Sequence, residues 1–268
     1  MRARPTNERK GDHMDDALTG RRVLIVGASA GIGAALGQAA IEAGASVTIS
    51  ARRQDKLDAL VADWGAGNAI AADATDPEAV RAMVATAAER MSGLDLVVYV
   101  AGFGLLQPLA ETDPDGWVDV FRVNVVGANL VAAAALDHLD PDGAVAFISS
   151  RTVEDNNAFF APYSATKAAL DQCIRAWRAE HPDRRFIRVV MGNAQPTEFA
   201  NHMGDMELLG RALPRWIEQG INVGHMMETT DVGRALVDAF AVALDHPTVD
   251  SSELKFDARI PPTDTETS

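Results

Sequence analysis

The sequence has little of several features that mark particular classes of protein. Only one of its 268 residues, Cys173, is a cysteine, so no disulfide can form within the chain. Cys173 lies in a predicted helix, and we interpret it as core filler rather than as a nucleophile. So low a cysteine content is typical of the reducing cytoplasm, which is the predicted location.

Basic residues and long apolar runs are also scarce. The chain has 24 lysines and arginines against 38 aspartates and glutamates, which gives a formal net charge of −14. This charge argues against nucleic acid or an anionic membrane surface as a partner. No uninterrupted apolar stretch approaches ~18 residues, so we expect no transmembrane helix. No spaced cluster of histidines, cysteines and carboxylates stands out, so we expect no metal site.

The two ends of the sequence differ from its middle. Residues 1–20 are polar, carry mixed charge and lack the apolar segment of a secretory signal, so we expect a flexible leader. Residues 258–268 are predicted to be a flexible tail. Between them, residues 21–257 have the length of a single α/β domain with a full core, and no internal repeat is visible.

Apolar runs suited to strands alternate with helical patterns along this domain. The predicted strands are 22–26, 46–50, 68–71, 94–100, 143–148, 185–190 and 252–256. The predicted helices are 32–43, 53–63, 77–90, 114–137, 161–180, 204–219 and 230–243. The alternation predicts an α/β fold, a Rossmann-like doubly wound parallel sheet of about seven strands with helices on both faces.

A glycine-rich turn joins the first predicted strand to the first predicted helix. Glycines let the backbone approach a pyrophosphate closely, and the start of a helix offers free amide donors. Because a second strand follows the helix, the turn lies in the βαβ setting that a dinucleotide site requires. Its candidate cofactor contacts are Gly27, Ser29, Ala30, Gly31, Ile32 and Gly33.

A tyrosine and a lysine four residues apart form the candidate catalytic pair. On a helix, Tyr163 and Lys167 share one face, and Ser150 follows an apolar run at 144–149. A phenol ordinarily ionises near pH ~10, and we expect the lysine cation to lower the pKa of Tyr163. Alone, such a pair is more often an ordinary surface pair. Its interpretation as a catalytic pair depends on the glycine-rich turn that the same chain contains.

The turn and the Ser/Tyr/Lys set together resemble the short-chain dehydrogenase/reductase family over residues 21–256. The turn has the spacing Gly-x-x-x-Gly-x-Gly, and further positions agree in order, namely Asp73, Ala101-Gly102, Asn124 and Thr197. Three positions depart from the family pattern, at Val26 before the first glycine, at Tyr99-Val100 and at Gly192-Asn193. These departures concern loop geometry and cofactor affinity and leave the candidate catalytic residues in place.

The resemblance implies an enzyme that transfers hydride reversibly between a nicotinamide cofactor and an alcohol/carbonyl pair. In the reduction direction Tyr163 would protonate the carbonyl oxygen, and Ser150 would hydrogen-bond it. Lys167 would bind the nicotinamide ribose, and Asn124 would hold a water in the proton path. The other cofactor contacts implied by the resemblance are Asp73, Ala74, Ala101, Gly102 and Thr197.

The end of the second predicted strand bears on the choice of cofactor. An acidic residue there would bind the ribose hydroxyls and repel a 2′-phosphate, but the position holds Ala51, followed by Arg52 and Arg53. A guanidinium makes forked contacts with phosphate, so we predict a preference for NADP(H) over NAD(H), with Arg52 as the main clamp. The alternative is that the two arginines simply begin a solvated helix.

Substrate and assembly are predicted from the segments around the site. The lid, residues 198–227, is apolar and rich in methionine, which suits a bulky hydrophobic small molecule, although packing against the core explains it equally well. The resemblance implies a homodimer or homotetramer formed through helices 114–137 and 161–180.

Two other functions remain open at this point. One is a non-catalytic nucleotide sensor on the same fold, which the presence of all four candidate catalytic residues disfavours. The other is a sugar-nucleotide epimerase or dehydratase, which needs a larger substrate domain than the chain after Lys167 provides.

Overall fold

The computed structural model describes residues 16–199 and 206–260 of the chain. Most of the predicted leader, part of the predicted lid and most of the predicted tail therefore lie outside the described residues. Residues 16–20, expected in the leader, instead form a turn that belongs to the folded domain. Leu18 in this turn is 1% exposed, because its apolar side chain extends the core. Its N–H also donates to the Ala43 carbonyl at 2.9 Å, which ties the turn to the end of the first helix.

Seven parallel strands form the central sheet. They are β1 Arg22–Val26, β2 Ser46–Ala51, β3 Asn68–Ala71, β4 Leu94–Tyr99, β5 Leu139–Ser150, β6 Arg185–Met191 and β9 Glu253–Phe256. Their order in the sheet is β3-β2-β1-β4-β5-β6-β9, so the chain builds outward from β1 in one direction and from β4 in the other. The predicted Rossmann-like doubly wound sheet is confirmed.

Nine α-helices are present among the described residues. They are α1 Gly31–Glu42, α2 Gln54–Trp64, α3 Pro77–Met91, α4 Pro114–Phe121, α5 Ala128–Ala135, α6 Thr152–Asp155, α7 Ala161–Glu180, α8 Met206–Glu218 and α9 Thr229–Asp245. A short second pair of strands, β7 Ala194–Gln195 and β8 Met227–Glu228, ties the two ends of the lid together.

Helices cover both faces of the sheet, and each face has its own hydrophobic core. Leu36 of α1 and Phe240 of α9 pack on one face, while Val84 of α3, Val131 of α5 and Ile174 of α7 pack on the other. The strands between the two cores are buried on both sides, which explains why they read as continuous apolar runs rather than as alternating ones.

The helix predicted at 114–137 is interrupted by a wide π-type turn at Arg122–Gly127. Such a turn leaves backbone carbonyls without their usual helical donors. Side chains supply donors instead, because the Tyr99 hydroxyl donates to the Val123 carbonyl at 2.6 Å and Asn129 Nδ2 donates to the Val125 carbonyl at 2.8 Å. Tyr99, one of the departures from the family pattern, thus braces the turn.

By length and composition alone, Pro114–Ala135 is apolar enough to cross a membrane, although the sequence predicts no transmembrane helix. Its inner face is buried on the sheet through Val120, Ala128 and Val131. A core helix and a spanning helix share this composition, so the finding assigns no location to the protein.

Gly127→Ala should destabilise the protein, because an added Cβ would lie 2.5 Å from the Tyr99 hydroxyl and 2.9 Å from the Ala74 carbonyl oxygen. We expect the free energy of unfolding in urea to fall by about 1–3 kcal/mol. Gly210→Ala is the matched control. It adds the same methyl to α8 with nothing within 4 Å, and should stabilise by about 0.5–1 kcal/mol. Equal effects of the two substitutions would contradict this account.

Candidate active site

A cleft of about 1010 Å³ opens beyond the carboxyl ends of the strands. This is where ligands of doubly wound sheets bind. Among the predicted site residues, those lining the cleft are Gly27, Ser29, Ala30, Gly31, Ile32, Arg52, Arg53, Asp73, Ala74, Ala101, Gly102, Ser150, Tyr163, Lys167 and Thr197. The two predicted residues that do not line it are Gly33 and Asn124.

The glycine-rich turn is shaped by close backbone contacts. Gly27 has a φ of +98°, and a Cβ there would lie 2.3 Å from the Ala101 nitrogen. A Cβ at Gly33 would lie 2.4 Å from the Gly27 carbonyl oxygen, so Gly33 lets α1 pack on the turn rather than lining the cleft. Both positions therefore require glycine.

The start of α1 offers its amides to the cleft. The residue before the helix, Ala30, makes no side-chain cap, and no acidic residue lies in the first turn. Free amides and the positive end of the helix dipole suit an anion such as a pyrophosphate. The residues present therefore fit a dinucleotide, with Gly27 and Gly31 allowing its close approach.

Asp73 lines the cleft, and its carboxylate is held by its own loop. It accepts hydrogen bonds from the Thr75 N–H at 2.9 Å and the Thr75 hydroxyl at 2.8 Å. The backbone bond from Thr75 is the main cause that lowers the pKa of Asp73, with smaller help from the charges of Arg52 and Arg122. The carboxylate is thus ionised and oriented before any ligand binds.

Ser150 and Tyr163 meet deep in the cleft. Ser150 ends β5, and its Oγ accepts from the Thr152 N–H at 3.2 Å and the Thr152 hydroxyl at 3.0 Å. With its lone pairs engaged, the Ser150 hydroxyl is left to donate its own proton. Tyr163 lies in the first turn of α7 and is 8% exposed.

Burial sets the protonation state of Tyr163. It raises the pKa of this phenol to about 12, while the Ser150 hydroxyl acts in the opposite direction. The expected lowering by Lys167 is not observed, because Lys167 Nζ lies 5.6 Å from the centre of the ring and donates to the Ile148 carbonyl at 2.8 Å. The phenol is therefore protonated at neutral pH and can act as a proton donor.

Lys167 is also buried, with 3% of its surface exposed. Burial lowers the pKa of Lys167 to about 8, and the Asp171 carboxylate one helical turn later opposes this shift. Asp171 is itself 4% exposed and is held by the Ser149 hydroxyl at 2.5 Å and by Arg188 at 2.7 Å. Lys167 is therefore charged at neutral pH, but its pKa lies only slightly above that pH.

Asn124 lies behind the cleft and is fully buried in the π-type turn. Its Oδ1 accepts from the Phe103 N–H at 3.0 Å, and its Nδ2 donates to the Phe103 carbonyl at 3.0 Å and to Thr166 Oγ1 at 2.9 Å. These contacts fix the segment after β4 against α7. A role for Asn124 in the proton path stays a prediction.

The two arginines after β2 are placed differently. Arg53 Nη2 donates to Ser29 Oγ in the glycine-rich turn at 2.9 Å and contacts Glu198 Oε2 at 2.5 Å. Arg52 is exposed and acts on Asp73 through its charge. Arg53 therefore contacts both the glycine-rich turn and Glu198, while Arg52 as the main phosphate clamp stays a prediction. Glu198 was missed, since no local pattern places it beside β2.

An aromatic cluster lines the part of the cleft around Ser150, and its four rings are Phe160, Tyr163, Phe199 and Trp216. Phe160 stacks on Tyr163 with ring centres 4.7 Å apart, and Phe199 meets Tyr163 edge-on at 5.0 Å. Gly104 makes room for this cluster, because a Cβ there would lie 2.6 Å from Phe199. The expected apolar lining is present here, and the same rings also pack together as a small core. A hydrophobic substrate site and simple core packing therefore both explain the apolar lid.

The lid helix α8 is fastened to the segment after β5. Trp216 Nε1 donates to the Ala158 carbonyl at 2.7 Å, and Arg211 and Arg215 lie over the Phe159 ring at 5.4 and 5.7 Å. Asn157 of this segment also lines the cleft and was not predicted. Its buried Oδ1 has no hydrogen-bond partner within the part of the chain that the structure describes.

Within residues 16–199 and 206–260, no three His, Cys, Asp or Glu side chains lie close enough together to hold a metal ion.

Comparison with protein families and known proteins places these features in context. A family model for short chain dehydrogenases matches residues 21–207. An L-xylulose reductase from Mesocricetus auratus is 30% identical over 236 residues, covering 87% of this chain and 92% of that protein. A fatty acyl-CoA reductase from Mycobacterium tuberculosis is 34% identical over 173 residues, covering 61% of this chain. The match spans 58% of that reductase's own length.

Solved structures agree with the fold. A short chain dehydrogenase from Burkholderia cenocepacia in complex with NADP superposes with a TM-score of 0.75 at 27% identity, covering 90% of this chain and 98% of that one.

Lys167→Met should reveal the cost of the buried ammonium. Because burial lowers the pKa of Lys167 to about 8, the folded state is penalised at neutral pH, and the penalty shrinks as pH rises toward the unfolded value. From about pH 7 to about pH 10, the free energy of unfolding of the wild type should therefore rise relative to the variant by roughly 2 kcal/mol.

Urea unfolding at several pH values measures this difference. Lys255→Met, which removes a half-exposed lysine, is the matched control and should show no comparable trend. A wild-type curve that runs parallel to that of Lys167→Met across this range would contradict the assignment.

Proposed function

The chain belongs to the short-chain dehydrogenase family, and on that premise we propose that it is an NADP(H)-preferring oxidoreductase that interconverts a carbonyl and an alcohol. The proposed substrate is a hydrophobic small molecule. The observation that carries the proposal is a single cleft that joins a dinucleotide-type glycine turn to Ser150, Tyr163 and Lys167.

The chain's own residues handle the proton and the charge on the substrate oxygen. When bound, the nicotinamide cofactor supplies or accepts a hydride. The Tyr163 phenol is protonated at neutral pH, since its pKa is raised to about 12, and in the reduction direction it would give that proton to the carbonyl oxygen. Ser150 donates a hydrogen bond to the same oxygen and stabilises its developing charge. Lys167, anchored on the Ile148 carbonyl, would hold the cofactor ribose with its ammonium.

The adenosine end of the cleft supports the preference for NADP(H). β2 ends at Ala51, which has no carboxylate to repel a 2′-phosphate, and two arginines follow it. Since Arg53 contacts the glycine turn through Ser29, we assign it the main contact with the 2′-phosphate and give Arg52 a supporting charge. A relative whose structure holds NADP supports the same preference.

The aromatic cluster supports a hydrophobic substrate. Phe160 and Phe199 flank the Tyr163 ring, so a carbonyl reaching the Tyr163 hydroxyl passes between aromatic faces. Such surfaces favour planar apolar groups through stacking. Asn157 Oδ1, which has no hydrogen-bond partner among residues 16–199 and 206–260, offers one polar contact within this lining.

Fluorescence titration of the purified protein with NADPH and NADH tests the cofactor assignment directly. Tight NADPH binding with weaker NADH binding is expected. Preference for NADH would overturn the 2′-phosphate assignment but keep the dehydrogenase. Absence of binding by either dinucleotide would overturn the proposed function and favour a non-catalytic role.

Tyr163→Phe should lower NADPH-dependent turnover of an aromatic ketone or aldehyde by about 10²–10⁴-fold, the usual share of a general acid. NADPH binding should stay within about twofold, since the ring and its packing remain. The chain's other tyrosine provides the matched control. Among the described residues the Tyr99 hydroxyl bonds to the Val123 backbone carbonyl and does not line the cleft, so Tyr99→Phe should retain turnover. Comparable turnover in both variants would refute the role of Tyr163.

We also propose that the enzyme works in the cytoplasm as a homodimer or homotetramer formed through α4–α5 and α7. Val118 of α4 is 60% exposed, a feature that a subunit contact would cover. Light scattering should give at least twice the mass of one chain, and Val118→Asp should lower it. Val249→Asp, at a 54% exposed position near the C-terminal strand, should leave the mass unchanged. A monomer in the wild type would reject the assembly.

A further inference from the structure

An ion-pair bridge crosses the nucleotide half of the cleft. Glu198 Oε2 contacts Arg53 Nη2 at 2.5 Å, and its Oε1 contacts Lys56 Nζ at 2.5 Å. Arg53 follows β2, Lys56 lies in α2, and Glu198 belongs to the lid segment, 145 residues from the arginine. The bridge therefore joins the lid to the opposite wall of the cleft.

The bridge lies where the adenosine ribose of a dinucleotide is expected. That ribose lies at the end of the second strand, which here is Ala51. Arg53 is held over the glycine turn by Ser29 Oγ at 2.9 Å, and Ser29, Arg53 and Glu198 all line the cleft. Thr197, next to Glu198, lies 3.3 Å from the position of a Cβ on Gly31. The lid segment thus reaches directly over the turn.

The chemistry of the bridge matches that of a bound phosphate. A carboxylate that takes one oxygen to a guanidinium and the other to an ammonium uses the same donors that a phosphate monoester would use. The pKa of Glu198 is lowered to about 2, mainly by its hydrogen bonds to Arg53 and Lys56, so it is ionised at every physiological pH. Its side chain is 34% exposed, and exposed ion pairs contribute little net stability, so a stronger anion can replace it.

We propose that Glu198 is a cofactor-specificity residue whose carboxylate competes with the 2′-phosphate of NADP(H) for Arg53 and Lys56. The inference rests on the proposed function, since it presumes that the cleft binds a nicotinamide dinucleotide. NADP(H) has to displace Glu198 to reach the two cations. NAD(H), which has ribose hydroxyls and no 2′-phosphate, can leave the bridge in place. Glu198 therefore reduces the preference for NADP(H) that the basic residues create.

Glu198→Gln tests the proposal, because it keeps the size of the side chain and removes its charge. Dissociation constants for NADPH and NADH are measured by nicotinamide fluorescence, and those for adenosine 2′,5′-bisphosphate and AMP by calorimetry. We expect NADPH and the bisphosphate to bind about tenfold more tightly, the scale of one charge-assisted contact. Binding of NADH and AMP should change by less than about twofold.

Two controls isolate the competition. Glu218→Gln makes the same change on the exposed side of α8 and should alter none of the four constants. Arg53→Gln should weaken NADPH binding, and adding Glu198→Gln to that variant should tighten binding by clearly less than tenfold, since only Lys56 of the two contested cations remains. Thermal unfolding of each variant checks that the fold is intact.

Each outcome separates this inference from the function on which it rests. If the wild type binds dinucleotides but Glu198→Gln leaves the NADPH-to-NADH ratio unchanged, the competition is refuted and the dehydrogenase assignment stands. If the variant binds NADPH more weakly, Glu198 supports the phosphate site instead, and the proposal is overturned. If the wild type binds neither dinucleotide, both the proposed function and the inference fail.

Discussion

The cleft depends on one close approach between backbones at the ends of β1 and β4. These neighbouring strands are where the order of the sheet reverses, so the chain leaves them toward opposite sides and a crevice opens between. Gly27 allows the contact, because any side chain there would collide with Ala101. From that point the helix dipole of α1, the carboxylate of Asp73 and the hydroxyl of Ser150 all face the same space.

Burial pushes both members of the candidate catalytic pair, Tyr163 and Lys167, toward their neutral forms. It raises the pKa of the Tyr163 phenol and lowers the pKa of the Lys167 ammonium, and each shift is opposed by one polar neighbour, Ser150 for the tyrosine and Asp171 for the lysine. The pair is therefore not a pre-ionised phenolate beside a cation. It is a protonated phenol above an anchored ammonium, an arrangement suited to giving a proton to a substrate.

Much of this architecture could be predicted from sequence, because it follows from local patterns. β1, β3 and α7 have the predicted bounds, since apolar runs and helical periodicity do not depend on distant residues. The cleft could be predicted because its residues follow strands, whose carboxyl ends meet at one edge. Three features could not be predicted from sequence. They are the π-type turn, the contact of Arg53 with Glu198 and the position of Asn157 in the cleft lining. Each depends on side chains brought together from separate parts of the chain.

The Arg53–Glu198 bridge joins parts of the chain that are far apart in sequence, which has a consequence for the stability of the cleft. Its partners are 145 residues apart, and Glu198 follows β6, which pairs with β5 and β9 across further long stretches of chain. Contacts of such sequence separation each cost loop-closure entropy when they form. The cleft is thus a property of the assembled sheet and not of any one local segment. A small molecule that occupies it stabilises the whole cooperative unit by mass action, so its affinity can be read from resistance to unfolding.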